Sequence, residues 1–167
     1  MSQEPITFRL FNGVRQGKKR NVGLLKGHQE SDAASGISRL TGNQRRDLLS
    51  RIQHWIDGAN GPKTWFHNFT NEAAYSMCFV FKVGEHRFYG YLCNPLPNTN
   101  PGLQVCVLCS YAAKHEWETD PAEKALVRRL FQSSEAKAAL TREFDDVLLD
   151  DKSAGGKEKK GKSKWKM

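Results

Sequence analysis

The sequence predicts an α+β fold in which N-terminal and C-terminal helices pack against a small, twisted antiparallel β-sheet. Apolar residues recur at helical spacing between Thr41 and Gly58, and again after Pro121. Between these two regions lie three strand-like segments, the first two separated by the turn-forming pair Gly84-Glu85. With 167 residues, the chain suits one domain with appendages and leaves little room for two independent cores.

A short strand is predicted near the N-terminus, where Ile6, Phe8 and Leu10 alternate before the turn signal Asn12-Gly13. The glycine-spaced basic stretch that follows indicates a loop or arm that reaches past the core. Its cationic residues are Arg15, Lys18, Lys19, Arg20 and Lys26.

The first long helix begins with a capping box, since Gln44 follows Thr41 by three residues, and it ends before Gly58. Ile37 and Leu40 indicate a shorter helical turn before it. The apolar face of the long helix is predicted to be Leu48, Leu49, Ile52, Trp55 and Ile56.

Three strands are predicted over residues 75–83, 86–93 and 103–111. In the first strand, large apolar residues occupy every second position. The second strand is rich in aromatic residues, and the third is continuously apolar. Continuous apolar character is typical of a central strand buried on both faces, so we place the third strand in the middle of the sheet.

The C-terminal helices follow from capping chemistry. Asp120 is the predicted N-cap of a helix that has Pro121 at its first position and Glu123 two residues later. Ser134 is predicted to cap a last helix, and the acidic residues near its C-terminal end, including Asp145, favour fraying because the helix dipole disfavours anions there.

Charge divides the chain into three parts. Residues 1–31 are predicted to form an N-terminal strand and a basic arm, and they hold six Lys/Arg against two acids. Residues 151–167 are a Lys-rich tail that is predicted to be disordered, and they hold seven Lys against two acids. Residues 32–150, the predicted α+β domain, are nearly neutral. The basic flanks indicate either phosphate binding or simple solubilising segments.

Neither a membrane span nor a secretory signal is visible, because no apolar run approaches about 20 residues and the N-terminus lacks an apolar core. We therefore expect a cytoplasmic location and reduced cysteines. Cys106 and Cys109 lie three residues apart in a predicted strand and so face opposite sides of the sheet, which argues against a shared metal. We predict no metal and no cofactor.

The order of these elements resembles the RelE/HigB/ParE superfamily of small bacterial toxins. Residues 107–121 are similar to that family's last strand, paired-lysine segment and Thr-Pro, and residues 86–91 resemble its Tyr-Arg-containing strand. The resemblance covers residues 37–131. The resemblance implies a compact RelE-like fold. It also implies that the partners of this chain are RNA, the ribosome and a cognate antitoxin.

The resemblance also implies an activity, which is cleavage of messenger RNA without a metal, by attack of a ribose 2′-hydroxyl on the adjacent phosphate. The catalytic residues would be Arg87 and Lys114 for phosphate charge, His115 for proton transfer, and Tyr111 for stacking or positioning. The chain departs from the pattern at His115, where a lysine is usual, and at Asp120, which intervenes before the proline.

Nucleic-acid binding is assigned to the cations of the two flanks. Two alternatives remain open: a non-catalytic module that binds a protein partner, as ParE-type gyrase inhibitors do, and a basic nucleic-acid-binding protein with only architectural likeness. Convergence of the four catalytic candidates in one basic patch would favour the enzyme, and their placement on separate faces would argue against it. The flank cations are Arg15, Lys18, Lys19, Arg20 and Lys26, followed in the tail by Lys157, Lys159 and Lys160.

Overall fold

The computed structural model of the chain describes residues 5–27, 32–113 and 121–155, with side chains as far as residue 145. It has an α+β architecture, as predicted, built on one six-stranded sheet. Its elements are β1 (Thr7–Leu10), β2 (Arg20–Lys26), α1 (Ala33–Ile37), α2 (Gly42–Ile56), β3 (Phe66–Asn68), β4 (Cys78–Val83), β5 (His86–Cys93), β6 (Gln104–Ala113), α3 (Pro121–Phe131) and α4 (Ser134–Gly155), with a 3₁₀ turn at Ala73–Tyr75.

The strands lie in the order β1-β2-β6-β5-β4-β3. The sheet is mixed and not antiparallel throughout as predicted, because β2 and β6 run parallel while every other neighbouring pair is antiparallel. This arrangement places β6 in the interior of the sheet, where seven of its ten residues are buried. The prediction of a central, two-sided strand is therefore confirmed, because only such a strand buries its full apolar run.

Two hydrophobic layers sandwich the sheet. On the front face, α1 and α2 cover a core that includes Leu48, Ile52 and Phe88. On the back face, α3 and α4 cover a second core that includes Tyr89 and Val127. Among the described residues, no helix has both the length and the apolar character needed to cross a membrane.

A β-bulge interrupts the pairing of β5 with β6. Tyr89 pairs with Ser110 and Gly90 pairs with Leu108, so that Cys109 is the extra residue of β6. Cys109 belongs to the back core with Val105 and Val107, and because the bulge reverses the alternation of the strand beyond it, Tyr111 belongs to the front core. A side chain at position 90 would meet the Val107 carbonyl oxygen at 2.2 Å, so the close backbone approach requires glycine.

Several predicted elements are confirmed. The α2 capping box forms, with Gln44 N donating to Thr41 Oγ1 at 3.1 Å and Thr41 N donating to Gln44 Oε1 at 2.9 Å. Strand β5 spans the predicted residues, and α3 begins at Pro121, although its predicted cap Asp120 lies outside the described residues.

The four cysteines are free thiols, as expected. Cys106 and Cys109 lie in different cores on opposite faces of the sheet. Burial raises the pKa of Cys78 to about 11 and that of Cys93 to about 12, so both stay protonated at neutral pH.

The prediction of a basic arm reaching past the core is wrong. Residues 20–26 form β2, with Val22 and Leu25 fully buried, and the loop before it folds onto α2. There, Arg15 N donates to Gln53 Oε1 at 2.7 Å and Gln53 Nε2 donates to the Arg15 carbonyl at 3.0 Å. The cations of this stretch obscured the apolar residues between them, so β1 and β2 belong to the same sheet as the other strands.

Smaller differences concern the ends of elements. The first predicted strand begins at Cys78 because residues 73–75 form a 3₁₀ turn, and the short edge strand β3 was not predicted. The hydroxyl that caps α4 belongs to Ser133, whose Oγ accepts from Ala136 N at 3.2 Å, and not to Ser134. Helix α4 continues past Asp145 to Gly155, so the predicted disordered tail begins with helical residues.

The bulge yields a stability prediction. We expect Gly90→Ala to lower the free energy of unfolding by at least about 2 kcal/mol, because the new methyl group meets backbone atoms that cannot rotate away. Gly102→Ala is the matched control, since nothing lies within 4 Å of its added carbon. Urea unfolding of both variants measures the difference, and equal stabilities would show that the close approach at position 90 is absent.

Candidate nucleic-acid interface

Lys82 and Arg87 lie opposite each other on the back face of the sheet, beside the β4–β5 turn. Gly84 adopts a positive φ of 57° in this two-residue turn, which sets the register in which Val83 pairs with His86. Since Phe81, Val83 and Phe88 face the front core, alternation turns Lys82 and Arg87 to the back.

The guanidinium of Arg87 is held by its own hairpin. Nη1 donates to the Gly84 carbonyl at 2.6 Å and to the His86 carbonyl at 3.2 Å. Nε and Nη2 have no hydrogen-bond partner among the residues that the structure describes. Because an arginine fork matches two phosphate oxygens, these N–H groups suit a phosphodiester.

His67, on β3, shares this face with the two cations. Its Nδ1 lies 2.9 Å from the Asn68 carbonyl oxygen, which can only accept, so Nδ1 carries the proton and Nε2 of the neutral ring is free to accept one. Burial lowers the pKa of His67, and the positive charges of Lys82, Lys63 and Arg87 lower it further. We call Lys63, His67, Lys82 and Arg87 the Arg87 cluster.

The electrostatics of the Arg87 cluster favour an anion. Burial lowers the pKa of Lys82, and Arg87 lowers it further, so these like charges raise each other's energy. The charged side chains that shift the pKa of His67 and Lys82 are all cations. A phosphate bound between them would relieve this repulsion.

Two carboxylates on the back face are engaged elsewhere, at the start of α3. Glu72 pairs with Lys124 Nζ at 2.5 Å, and Glu123 accepts a hydrogen bond from the fully buried Ser110 at 2.7 Å. Both contacts fasten α3 to the back of the sheet. Their negative charges are thus partnered and are not placed between Lys82 and Arg87.

Tyr111 and Arg87, two of the predicted catalytic residues, are not brought together. Tyr111 is 7% exposed in the front core, and its hydroxyl lies 2.6 Å from Nδ1 of His86. The ring packs so closely against α1 that a side chain at Gly36 would meet it at 2.2 Å. The bulge at Cys109 is the physical reason, because uninterrupted alternation would have turned Tyr111 to the back.

The other two catalytic candidates, Lys114 and His115, lie outside the described residues. They follow Ala113, the last residue of β6, in the sequence. Ala112, immediately before it, pairs with Arg87.

The predicted nucleic-acid contacts of the N-terminal flank have mixed roles. Arg15, Lys18, Lys19 and Lys26 are exposed, whereas Arg20 donates to the Trp55 carbonyl at 2.8 Å and lies 4.7 Å from the Trp55 ring centre. Arg20 therefore caps the C-terminal end of α2. Lys157, Lys159 and Lys160 lie outside the described residues.

A shallow pocket of about 480 Å³ lies beside Lys18, Lys19 and Arg20. Its other side is formed by Ile56, Asp57 and Gly58 at the C-terminal end of α2. The helix dipole and the Asp57 carboxylate both oppose an anion at this place. The pocket is thus a poorer phosphate site than the Arg87 cluster.

Sequence reasoning missed the roles of His67 and Lys82. The turn at Gly84-Glu85 was a usable signal for Lys82, since a two-residue turn places that side chain opposite Arg87. No comparable signal marks His67, because β3 has only three residues and its pairing with β4 depends on the tertiary structure.

No protein-family model, curated protein or solved structure matches this chain.

Tyr111→Phe tests whether the tyrosine is structural. We expect a loss of about 0.5–1.5 kcal/mol in unfolding free energy, because one hydrogen bond to His86 disappears while the ring packing stays. Any RNA binding or cleavage should be unchanged. A loss of cleavage with intact folding would return Tyr111 to the catalytic site.

The titration of His67 tests the Arg87 cluster. Since the folded pKa is lowered, the unfolded chain binds more protons near pH 6, and His67 destabilises the native state as the pH falls below about 6.5. We expect NMR titration to give a midpoint below 6.5, and Lys82→Met to raise it, because one repelling charge is removed. Lys26→Met is the control, and a shift of the same size there would contradict the described geometry.

Proposed function

We propose that this chain acts on RNA, with the phosphodiester bound at the Arg87 cluster and cleaved there without a metal in the RelE/HigB manner. The observation that carries the proposal is the placement of Lys82, Arg87 and the His67 ring on one face of the sheet. The order of helix, three antiparallel strands and proline-started helix supports the resemblance that suggests this chemistry.

The proposed reaction needs two kinds of group. As the 2′-hydroxyl attacks, charge builds on the phosphate oxygens, and fixed cations stabilise that charge. Arg87 supplies a fork whose orientation its hairpin carbonyls already set, and Lys82 supplies a second positive charge opposite it. Holding these donors in place before the substrate arrives reduces the cost of reorganisation.

His67 is the proposed general base. Its lowered pKa keeps it neutral at pH 7, and its bond to the Asn68 carbonyl leaves Nε2 to take the proton of the 2′-hydroxyl. The hydroxyl oxygen then bonds to phosphorus, the bond to the 5′-oxygen breaks, and a 2′,3′-cyclic phosphate forms. His115 or Lys114, which follow β6 in sequence, would return a proton to the departing 5′-oxygen.

Paired binding and cleavage assays test this proposal. Binding is measured by anisotropy with a labelled single-stranded RNA blocked by 2′-O-methyl groups, and cleavage with unblocked RNA, free and as messenger on ribosomes. We expect Arg87→Ala to weaken binding about 10- to 100-fold, because charged hydrogen bonds to phosphate are lost. We expect His67→Gln to reduce cleavage about 10²- to 10⁴-fold with little change in binding.

Arg9→Ala is the matched control, since Arg9 is exposed on β1, at the sheet edge opposite β3. The proposal fails if Arg87→Ala binds and cleaves RNA as well as Arg9→Ala does. If Arg87 governs binding but neither form of RNA is cut, the cleavage step is wrong and RNA binding stands.

A further inference from the structure

Trp65 lies at the edge of the sheet that carries the Arg87 cluster. It occupies the turn just before β3, and its carbonyl accepts a hydrogen bond from Lys82 N at 2.8 Å. His67 follows two residues later, in the middle of β3. The Trp65 ring packs against α2 on the front side of this edge, whereas the Arg87 cluster lies on the back face, so that β3 separates the two.

The Trp65 ring sits in a cationic and aromatic setting, and it is only partly buried. Cζ of Arg51 lies 5.5 Å from the ring centre, and the His54 ring meets it edge-on at 5.3 Å. Arg51 is itself held by a hydrogen bond from Nη1 to the Lys82 carbonyl at 2.7 Å. This arginine thus links the ring to the strand that bears Lys82.

Among the described residues, the Trp65 indole belongs to neither hydrophobic core. Phe66, the next residue, already fills the front core with Phe79 and Phe81. Indole rings beside arginine and lysine are typical of sites that stack nucleic-acid bases, since every base offers an aromatic face and its phosphate is drawn to the nearby cations.

We infer that Trp65 stacks an unpaired base of single-stranded RNA whose adjoining phosphate occupies the Arg87 cluster. The strand crosses the β3 edge of the sheet, with its base on the Trp65 side and its backbone on the Lys82 side. A base within a duplex cannot be stacked in this way, because its faces are already covered by its neighbours. Stacking also tolerates all four bases, so this contact selects single strands without selecting sequence.

This inference rests on the proposed function and deepens it by naming the form of RNA that the site accepts. The test uses the full chain with a 2′-O-methyl single-stranded RNA and a scan of the same RNA in which one nucleotide at a time is abasic. We expect Trp65→Ala to weaken binding at least about fivefold and Trp65→Phe to restore most of it. One abasic position should weaken binding by the unaltered chain but leave Trp65→Ala unaffected.

Tryptophan fluorescence gives a second measurement. Adding the RNA should quench the emission of the unaltered chain more than that of Trp65→Phe, because stacking on a base quenches the indole. If Trp65→Ala does not fold, the quenching difference between the unaltered chain and Trp65→Phe still decides, since neither measurement uses Trp65→Ala.

The outcomes separate the two proposals. Equal binding by Trp65→Ala and the unaltered chain, with Arg87→Ala still impaired, overturns the stacking site and leaves the proposed function in place. The stacking site is also overturned if Trp65→Ala binds more weakly than the unaltered chain at every abasic position. The ring is then structural, because removing a base should cancel the difference between the two proteins at one position. Normal RNA binding by Arg87→Ala overturns both.

Discussion

The pairing of β5 with β6 through the bulge at Cys109 is the constraint on which the rest of the structure depends. Gly90 lets the β6 backbone approach within a distance that no side chain allows, and the extra residue reverses the alternation beyond it. Tyr111 consequently packs against Gly36 in α1, while Ser110 turns to the back and holds Glu123 of α3. One irregularity in a central strand thus positions helices on both faces.

The back face combines an ion pair that anchors α3 with two like charges that lie opposite each other. Lys124, whose ammonium lies over the Phe69 and Tyr75 rings, pairs with Glu72 and so joins α3 to the 3₁₀ turn before β4. Near them, Lys82 and Arg87 face each other in a register set by a short turn. Like charges that a rigid sheet holds together are costly in the free protein and become favourable when an anion binds, which is the pattern expected of a binding site.

The electrostatic picture differs from the one that net charge suggests. Residues 32–150 are nearly neutral by composition, and the excess charge lies in the flanks. Yet Arg20 caps α2, and Lys18 and Lys19 adjoin a helix C-terminus that opposes anions. Cations within the neutral part, on β4 and β5, have the better geometry for phosphate. Where a charge lies on the fold therefore matters more than how many charges a segment holds.

The sequence by itself determined the elements with local causes. The α2 helix follows from its capping box and apolar face, β5 from its aromatic residues and turn, and α3 from its proline start. Only the tertiary structure decided that Arg20–Lys26 is a strand, since the parallel partner β6 is some eighty residues away in sequence. It also decided the face of Tyr111 and the place of His67, because a bulge and an edge pairing arise from contacts between strands and leave no local pattern.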